Sequence, residues 1–336
     1  GSYSGALHVA QKTKLNASGV TFNGNSAKNG GAITTGESAC TVNFDNCVFT
    51  ENTATSNGGA ACHLWFGTAT YTGCTFEDNT AGTNGGALYI QGNNAAVATI
   101  GGAGDAACTF TGNTAKSAGA VWAGSATSGG ALTTPTTNII NSTFTKNTAT
   151  NDVAAVKSCN KHQLSLTDCT ITDNTSKIYG ALHVTTANAG LTLAGKMVVT
   201  DNVSTDYADH AENTDLFYQD YAETDAGEAT VDMTGLTEGS TIGVYVMESR
   251  MAEDPVLTKN SSAAAFGYLF ANTDRLILTT KDNEVLAVKY IDASGNVYGD
   301  VQSAIQAAEA TGATTFQLQA STAEELTLTT LTYIDL

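Results

Sequence analysis

The stretch FTENTATSNGGA at residues 49–60 recurs, with few changes, at two other places in the chain. Residues 76–87 read FEDNTAGTNGGA, and residues 22–32 read FNGNSAKNGGA. Each copy has a phenylalanine, an asparagine three residues later and then a Gly-Gly-Ala. A fixed internal period of this kind predicts a repeat architecture, in which one small unit stacks on the next.

The asparagine of this motif can be followed through seven positions, with spacings of 27, 27, 34, 34, 27 and 28 residues. These positions are Asn25, Asn52, Asn79, Asn113, Asn147, Asn174 and Asn202. The residue three before each asparagine is apolar in every copy: Phe22, Phe49, Phe76, Phe110, Phe144, Ile171 and Val199. We therefore expect about seven similar units.

The local pattern of each unit indicates short strands. Alternating segments such as GALYI and GALHV are separated by clusters of Asn, Gly, Thr and Ser. Neither the leucine ladder of a leucine-rich repeat nor the 3.6-residue spacing of helical repeats is present. The sequence predicts an all-β solenoid whose coils pair their strands in parallel, about 4.8 Å apart.

Each part of the motif has an expected structural role. The phenylalanines would stack in the core, and the glycine pair would allow a tight turn. Asparagine tolerates the left-handed conformation of a corner, and its amide can bond the same amide in the next coil. The two 34-residue units would carry about seven extra residues, near 91–104 and 124–137, which would bulge from one face.

The pairing of F-x-x-N with G-G-A-[ILV] resembles the repeats of polymorphic outer-membrane proteins and of related large bacterial surface adhesins. The resemblance covers about residues 3–205, and later copies at 117–121, 152–156 and 178–182 lose one or both glycines. It implies a right-handed parallel β-helix with a role in adhesion or surface structure, outside the cell or at its surface. It brings no catalytic residues.

Charge divides the 336-residue chain unevenly. Residues 1–196 hold nine acidic and nine basic side chains, whereas residues 197–336 hold 23 acidic and five basic ones, which accounts for the net charge of −18. An acidic surface repels phosphate backbones, so we expect no nucleic-acid partner. No apolar run is long enough to span a membrane, so we expect no membrane insertion within the chain.

The end of the clear repeat suggests three parts. They are a β-helix over 1–205, an acidic, β-rich capping domain over 206–289, and the helix-capped start of a further β unit over 290–336, with Asp300 as N-cap and Gly312 as stop. We expect the chain to be a piece of a longer protein.

Four of the seven cysteines stand two residues before the apolar anchor of a unit: Cys47, Cys74, Cys108 and Cys169. Two residues along a strand restore the same face, so these thiols should point into the core. We interpret them as a ladder of small apolar side chains. Disulfides between neighbouring coils, and a metal site, are the alternatives.

Parallel β-helices include carbohydrate-active enzymes, so carboxylates are the candidate catalytic groups. Stacking would bring Glu51 beside Asp78, and Asp173 beside Asp201, roughly 5 Å apart. This spacing suits a glycosidase pair or a calcium site. The same positions precede a corner, where acidic residues are ordinary solvated turn residues.

A second candidate site lies two residues after the Ala of the motif. Tyr89 and Trp122 occupy this position in neighbouring coils, and His183 occupies it further along. Alternation makes the column face outward, so the two rings would form an exposed aromatic step on which a sugar ring could stack. Burial under the inserted residues is the alternative.

A calcium site is the third candidate, in the acidic stretch after Asn202. Its weak candidate ligands are Asp206, Asp209, Glu212 and Asp215. The other reading is a solvated acidic loop, since no regular D-x-D-x-D spacing is present. We expect no other cofactor.

Together these patterns favour a non-enzymatic segment of a large secreted or surface-attached bacterial protein, acting as a stalk or adhesin. Its expected partners are host or environmental glycans, proteins, or other copies of the chain. A polysaccharide lyase or glycoside hydrolase, and a calcium-dependent glycan-binding module, are the alternative functions.

Overall fold

The chain forms a right-handed parallel β-helix, which confirms the predicted fold class. A computed structural model describes residues 4–36, 40–64, 67–92, 96–125, 135–159, 162–184, 190–207, 210–218, 230–246, 256–272, 277–288, 290–291, 297–298, 301–310, 315–317 and 333–335. Within these ranges, every helix is too short or too polar to cross a membrane.

Within the described residues the first sheet has 17 strands, and 15 of them form two columns. One column consists of Leu7–Val9, Ile33–Thr35, Ala61–Leu64, Leu88–Gly92, Val121–Ser125, Val156–Cys159, Leu182–Val184 and Leu216–Tyr218. The other consists of Thr21–Asn23, Val48–Thr50, Thr75–Glu77, Thr109–Thr111, Thr143–Thr145, Thr170–Thr172 and Val198–Thr200. Two further strands, Thr241–Val246 and Leu269–Ala271, complete the sheet.

The second sheet contributes one longer strand to each coil and has nine strands. They are Lys14–Ser18, Thr41–Asp45, Thr68–Thr72, Val97–Gly101, Thr136–Ile140, Gln163–Thr167, Leu191–Gly195, Val231–Leu236 and Thr258–Lys259. The third sheet has eight strands: Ser26–Ala27, Thr53–Ala54, Thr80–Ala81, Thr114–Ala115, Thr148–Ala149, Thr175–Ser176, Val203–Tyr207 and His210–Asn213. All its pairs are parallel except the last, which is a hairpin.

The core of the helix is a column of stacked rings. Phe76 and Phe110 lie with ring centroids 4.6 Å apart and planes 4° from parallel, and Phe110 stacks on Phe144 in the same way. A second short stack joins Phe44 to Tyr71, with centroids 4.9 Å apart. Offset ring pairs of this kind add about 0.5–1.5 kcal/mol each beyond the area that they bury.

The corners differ from the prediction in one respect. None of the seven ladder asparagines has a positive φ; the left-handed residue is the one before each of them. These residues are Gly24, Glu51, Asp78, Gly112, Lys146, Asp173 and Asp201, with φ between 53° and 68°. The prediction was wrong because the asparagine side chain must point inward to bond the next coil, which leaves the turn to its neighbour.

The two positions of the Gly-Gly pair require glycine for different reasons. The first, as in Gly58 and Gly85, has a positive φ of 68° or 65°. The second is required by the next coil, because a Cβ on Gly59 would lie 1.9 Å from the carbonyl oxygen of Gly86. In the degenerate copy at 117–121, Ala118 keeps the left-handed conformation with a φ of 57°.

The extra residues of the first 34-residue unit lie later than predicted. Most of them fall between Gly101 and Cys108, at the next corner, where Gly104–Ala106 form a 3-10 helix. In the second unit this corner holds only Asn141 and Ser142, and the extra residues lie between Ser125 and Thr136, within the predicted range. Residues 126–134 lie outside the described residues.

The parallel sheets do not end at the boundary predicted at residue 205. Leu216–Tyr218 pairs in parallel with Leu182–Val184, and Val231–Leu236 pairs with Leu191–Gly195. The strand Thr241–Val246 then pairs with Val198–Thr200 at one end and with Leu216–Tyr218 at the other. In this last coil the single strand Thr241–Val246 takes the place of one strand from each column. The sequence motif therefore ends, while parallel strand pairing continues.

A hairpin of Ile277–Lys281 and Glu284–Val288 packs on the end of this stack. The Glu284 carboxylate accepts hydrogen bonds from the Thr258 hydroxyl and from the backbone N–H of Ser262, which begins the 3-10 helix Ser262–Tyr268. Val285 and Ala287 are fully buried. Such a cover protects the open edge of a solenoid.

The last part of the chain contains the predicted helix, at Val301–Ala310. Tyr290–Ile291 pairs with Val297–Tyr298 as an antiparallel bridge, and Thr315–Gln317 pairs in parallel with Tyr333–Asp335. The predicted start and stop residues of the helix, Asp300 and Gly312, lie outside the described residues.

Candidate functional site

The seven motif asparagines form one continuous ladder along the interior of a corner. The Nδ2 of Asn52 donates to Oδ1 of Asn79 at 2.9 Å, and the backbone N–H of Asn52 donates to the same oxygen at 3.0 Å. The Nδ2 of Asn79 also donates to the carbonyl oxygen of Phe49 at 2.9 Å. The same arrangement joins Asn25 through Asn202, and six of the seven side chains are buried.

The ladder ends on a carboxylate. The backbone N–H and Nδ2 of Asn202 both donate to Oδ1 of Asp215, at 2.9 and 2.7 Å. Asn272 donates from its Nδ2 to the other carboxylate oxygen at 2.8 Å. Burial raises the pKa of Asp215, although these hydrogen bonds act against the shift.

The position of Asp215 corrects its assignment as a candidate calcium ligand. Asp215 is fully buried and belongs to the ladder, so it is not a solvated ligand of an acidic loop. Asp206 and Glu212 lie on the two strands of the third-sheet hairpin, and Asp209 lies outside the described residues. Over the part of the chain that the structure describes, no three His, Cys, Asp or Glu side chains are grouped to hold a metal ion.

The candidate catalytic carboxylates occupy the left-handed corner positions. Glu51, Asp78, Asp173 and Asp201 are all exposed there. Two coils, those of Gly112 and Lys146, separate the first pair from the second. The Asp201 carboxylate accepts a hydrogen bond from the neighbouring Thr200 hydroxyl at 2.9 Å. The corner therefore explains these acids as turn residues, because Gly, Asp and Asn tolerate a positive φ better than most residues.

The outward column is aromatic and stacked, but it is not exposed. Tyr89 and Trp122 have ring centroids 4.4 Å apart and planes 14° from parallel. They are only 7% and 9% exposed, and His183 is 5% exposed. The predicted exposed step is therefore wrong: alternation fixes which side of a strand a residue faces, but it does not show what lies on that side.

Cys62, Ala118 and Cys159 pack with these rings on the outer face. Trp122 lies over Gly124, where a Cβ would come within 2.4 Å of the indole ring. Lys157 follows Trp122 in the column and forms an ion pair with Asp152, which also accepts a hydrogen bond from Ser117 at 2.7 Å. The same column continues through His183 to Phe217 and Tyr245, which stack with centroids 5.3 Å apart.

A second polar ladder was missed in the sequence. Asn84 donates from its Nδ2 to Oδ1 of Asn57 at 3.0 Å, and the side chain of Asn29 accepts from the backbone N–H of Asn57. These asparagines directly precede the glycine pair of the motif in all three clear copies. Their repetition was the available signal, and it was overlooked because a turn residue before glycine needs no further explanation.

All seven cysteines are free thiols, and Cys47, Cys74, Cys108 and Cys169 are buried in the core. Their position is a ladder of its own: the backbone N–H of Cys74 donates to the sulfur of Cys108, and that of Cys169 donates to the sulfur of Met197. Burial raises the pKa of Cys169 to about 11. A buried, protonated thiol is a poor nucleophile, so Cys169 has a structural role.

Two histidines lie in the interior. The Nε2 of His63 is 2.5 Å from the hydroxyl of Tyr71, and the Nε2 of His162 is 2.8 Å from the hydroxyl of Thr137. Burial lowers the pKa of His63 to about 3 and that of His162 to about 4. Both rings are neutral at pH 7.

The lowered pKa values of His63 and His162 predict that the folded chain is less stable in acid. Because the folded pKa of His63 is depressed, the unfolded chain binds a proton first as the pH falls below about 6.5. We expect the free energy of unfolding to fall by roughly 1.4 kcal/mol per pH unit for each histidine, until the buried ring itself is protonated. Urea titrations from pH 7.5 to 4.5 would measure the slope.

The variant His63→Gln keeps a polar partner for Tyr71 and should remove about half of this slope. His8→Gln is the matched control, because the His8 side chain is exposed in the first coil. An unchanged slope in His63→Gln would contradict the assignment.

Three stretches of the chain, residues 19–36, 46–63 and 73–91, match the Chlamydia polymorphic membrane protein repeat. The chain carries polymorphic membrane protein repeats. Each matched stretch includes the stacked phenylalanine, the ladder asparagine and the glycine pair, and ends in the following strand of the first sheet or one residue after it. No curated protein and no solved structure matches the chain.

The polymorphic membrane protein repeat indicates an adhesin-like protein of the cell surface or outer membrane. In this chain, the residues of the repeat meet one another from coil to coil and build ladders. The carboxylates proposed for catalysis are spread along exposed corners.

Proposed function

We propose that the chain is a non-enzymatic stalk and adhesin segment, displayed outside the cell, whose outer faces bind host or environmental glycans, proteins or other copies. The observation that carries this proposal is that the repeated residues contact one another between coils. Phenylalanine, asparagine and the second glycine of each clear copy are used in contacts between coils. What remains free to bind is the outer surface.

A solenoid suits such a role because each coil adds the same rigid step to a rod. Equivalent outward positions are repeated about 4.8 Å apart along the rod, so one weak contact is repeated several times. Repetition of this kind converts weak contacts into strong attachment without any new chemistry.

If the chain binds a glycan, we propose that the binding site consists of rows of threonine hydroxyls and not of the Tyr89 and Trp122 rings. The outward threonines of three successive strands, Thr109–Thr111, Thr143–Thr145 and Thr170–Thr172, are in register. Their side chains are exposed or half-buried, whereas Tyr89 and Trp122 are buried. Rows of hydroxyls offer both donors and acceptors to the hydroxyls of a sugar chain.

A glycan array tests this form directly. We expect binding by the chain coupled to beads, and its loss in the triple variant Thr111→Val, Thr145→Val, Thr172→Val, which removes hydroxyls while keeping side-chain volume. The same three substitutions at Thr53, Thr80 and Thr114, on the third sheet, are the matched control. Equal binding by both variants would contradict a glycan contact at this face.

The two alternative functions define the other possible outcomes of the experiment. Release of sugar fragments, abolished by Asp78→Asn, would contradict the non-enzymatic role. Binding that disappears on calcium chelation would favour the calcium-dependent module. Attachment to cell-surface proteins or to immobilised copies of the chain, without glycan binding, would support the stalk role with a protein as its partner.

A further inference from the structure

The corner at which the amide ladder ends holds a buried carboxyl group. Asp215 accepts three hydrogen bonds, two from Asn202 and one from Asn272, and its side chain donates none. Its side chain has no measurable exposure to solvent. All three donors are neutral amides, so the hydrogen bonds do not supply the positive charge that a buried carboxylate usually has beside it.

Among the residues that the structure describes, the two strands beside Asp215 do not supply a cation either. The strand Leu216–Tyr218 continues from it, and the strand Thr241–Val246 passes beneath it at Gly243. Neither strand has a basic residue. Among the described ionisable groups, Asp201 acts on Asp215 through its charge, and that charge has the same sign.

The space for the carboxylate is specific to this coil. A Cβ on Gly243 would lie 2.1 Å from the Oδ2 atom of Asp215 and 2.5 Å from the Nδ2 atom of Asn272. In the preceding coils an asparagine of the next coil accepts the two amide hydrogen bonds. Here Gly243 has no side chain, and Asp215 accepts them instead. The carboxylate is therefore a built part of the corner.

We propose that Asp215 makes this terminal corner pH-responsive: the corner is held closed more tightly when the carboxyl group is protonated and opens more readily when it is ionised. The device is independent of the adhesive role of the rod, and its action is confined to the coils around Asn202, Asp215 and Asn272.

The direction follows from linkage. Burial raises the pKa of Asp215 in the closed corner, whereas the open corner has the ordinary value of about 3.9. Between these two values the closed corner binds a proton that the open one releases. Local stability is therefore greatest in acid, falls as the pH rises through this window and stays lower above the folded pKa.

Local opening, rather than global unfolding, is the correct measurement. His63 and His162 act on the whole solenoid in the opposite direction, since they weaken it in acid. Hydrogen exchange resolves single segments, so it separates the two effects. The segments to follow are 198–204, 214–218 and 241–246.

We expect amide protection in these segments, corrected for the intrinsic exchange rate, to decrease between pH 4 and pH 7. Each unit by which the folded pKa exceeds the open value changes the opening equilibrium about tenfold. In Asp215→Asn the protection should be high and independent of pH. The control Asp201→Asn removes the same charge from an exposed neighbour and should keep the pH dependence.

Protection in the wild-type chain that increases with pH would overturn the proposal, and this result needs no variant. Equal loss of the pH dependence in Asp201→Asn and Asp215→Asn would also overturn it, because the effect would then come from general charge. If Asp215→Asn fails to fold, the wild-type and Asp201→Asn profiles still decide the question.

Discussion

Replacing Asn79 with alanine is expected to lower the free energy of unfolding by about 2–6 kcal/mol, because two buried donors of Asn52 lose their acceptor. The Phe49 carbonyl also loses the donor that Asn79 supplies. Neither group can turn to water, since both lie in the interior of the helix. Chemical denaturation followed by far-ultraviolet circular dichroism would measure the change.

Asn25→Ala is the control for this prediction. Asn25 begins the ladder and is only half-buried, and within the described residues its Oδ1 accepts no amide from another coil. Its removal costs one hydrogen bond to Asn52, whose Oδ1 still accepts from the Asn25 backbone. We expect a loss of about 1 kcal/mol. Equal losses for Asn25 and Asn79 would show that the ladder has no special role.

The second large effect is expected at Gly59. In Gly59→Ala the new Cβ would lie 1.9 Å from the Gly86 carbonyl oxygen and 2.7 Å from the Thr80 backbone nitrogen. Both neighbours are backbone atoms of the next coil, so the overlap is relieved only by separating two coils. We expect a loss of about 3 kcal/mol or more, with reduced recovery of folded protein.

Gly24→Ala provides the comparison. Gly24 has a φ of 65° and nothing within 4 Å of the position of a Cβ. Equivalent corners hold Glu51 and Asp78 in the same conformation. We expect a cost of about 1–2 kcal/mol, from the backbone alone. If Gly59→Ala is no more harmful than Gly24→Ala, the close approach of coils is not what requires the second glycine.

The repeating interior was predictable because every coil places the same residues at the same positions. Phe49 and Asn52 stand three residues apart, as their equivalents do in the other units, and each contacts its equivalent in the next coil. The repeat therefore identifies these contacts directly. The left-handed corner was misassigned for a related reason. Asn, Asp and Gly all tolerate a positive φ, and only Gly24 and Gly112 in the neighbouring column pointed to the correct position.

The outer face and the end of the repeat were beyond this rule. Tyr89 and Trp122 are buried in a small cluster with Cys62, Ala118 and Cys159, side chains that do not recur with the period. Asp215 replaces an asparagine only 13 residues after Asn202, so spacing alone does not connect it with the ladder. Continuation of the helix past residue 205 depends on strand pairing that has no motif.

The distance between nitroxide labels on Thr70 and Lys259, measured by pulsed electron paramagnetic resonance, tests the central claim most directly. The two residues are linked by six successive register pairs of the second sheet, through Thr99, Asn138, Ser165, Thr192 and Asp232. Six parallel strand spacings give about 29 Å. A single narrow distribution near this distance supports one continuous rod across residue 205, whereas a broad distribution or a much longer distance would contradict it.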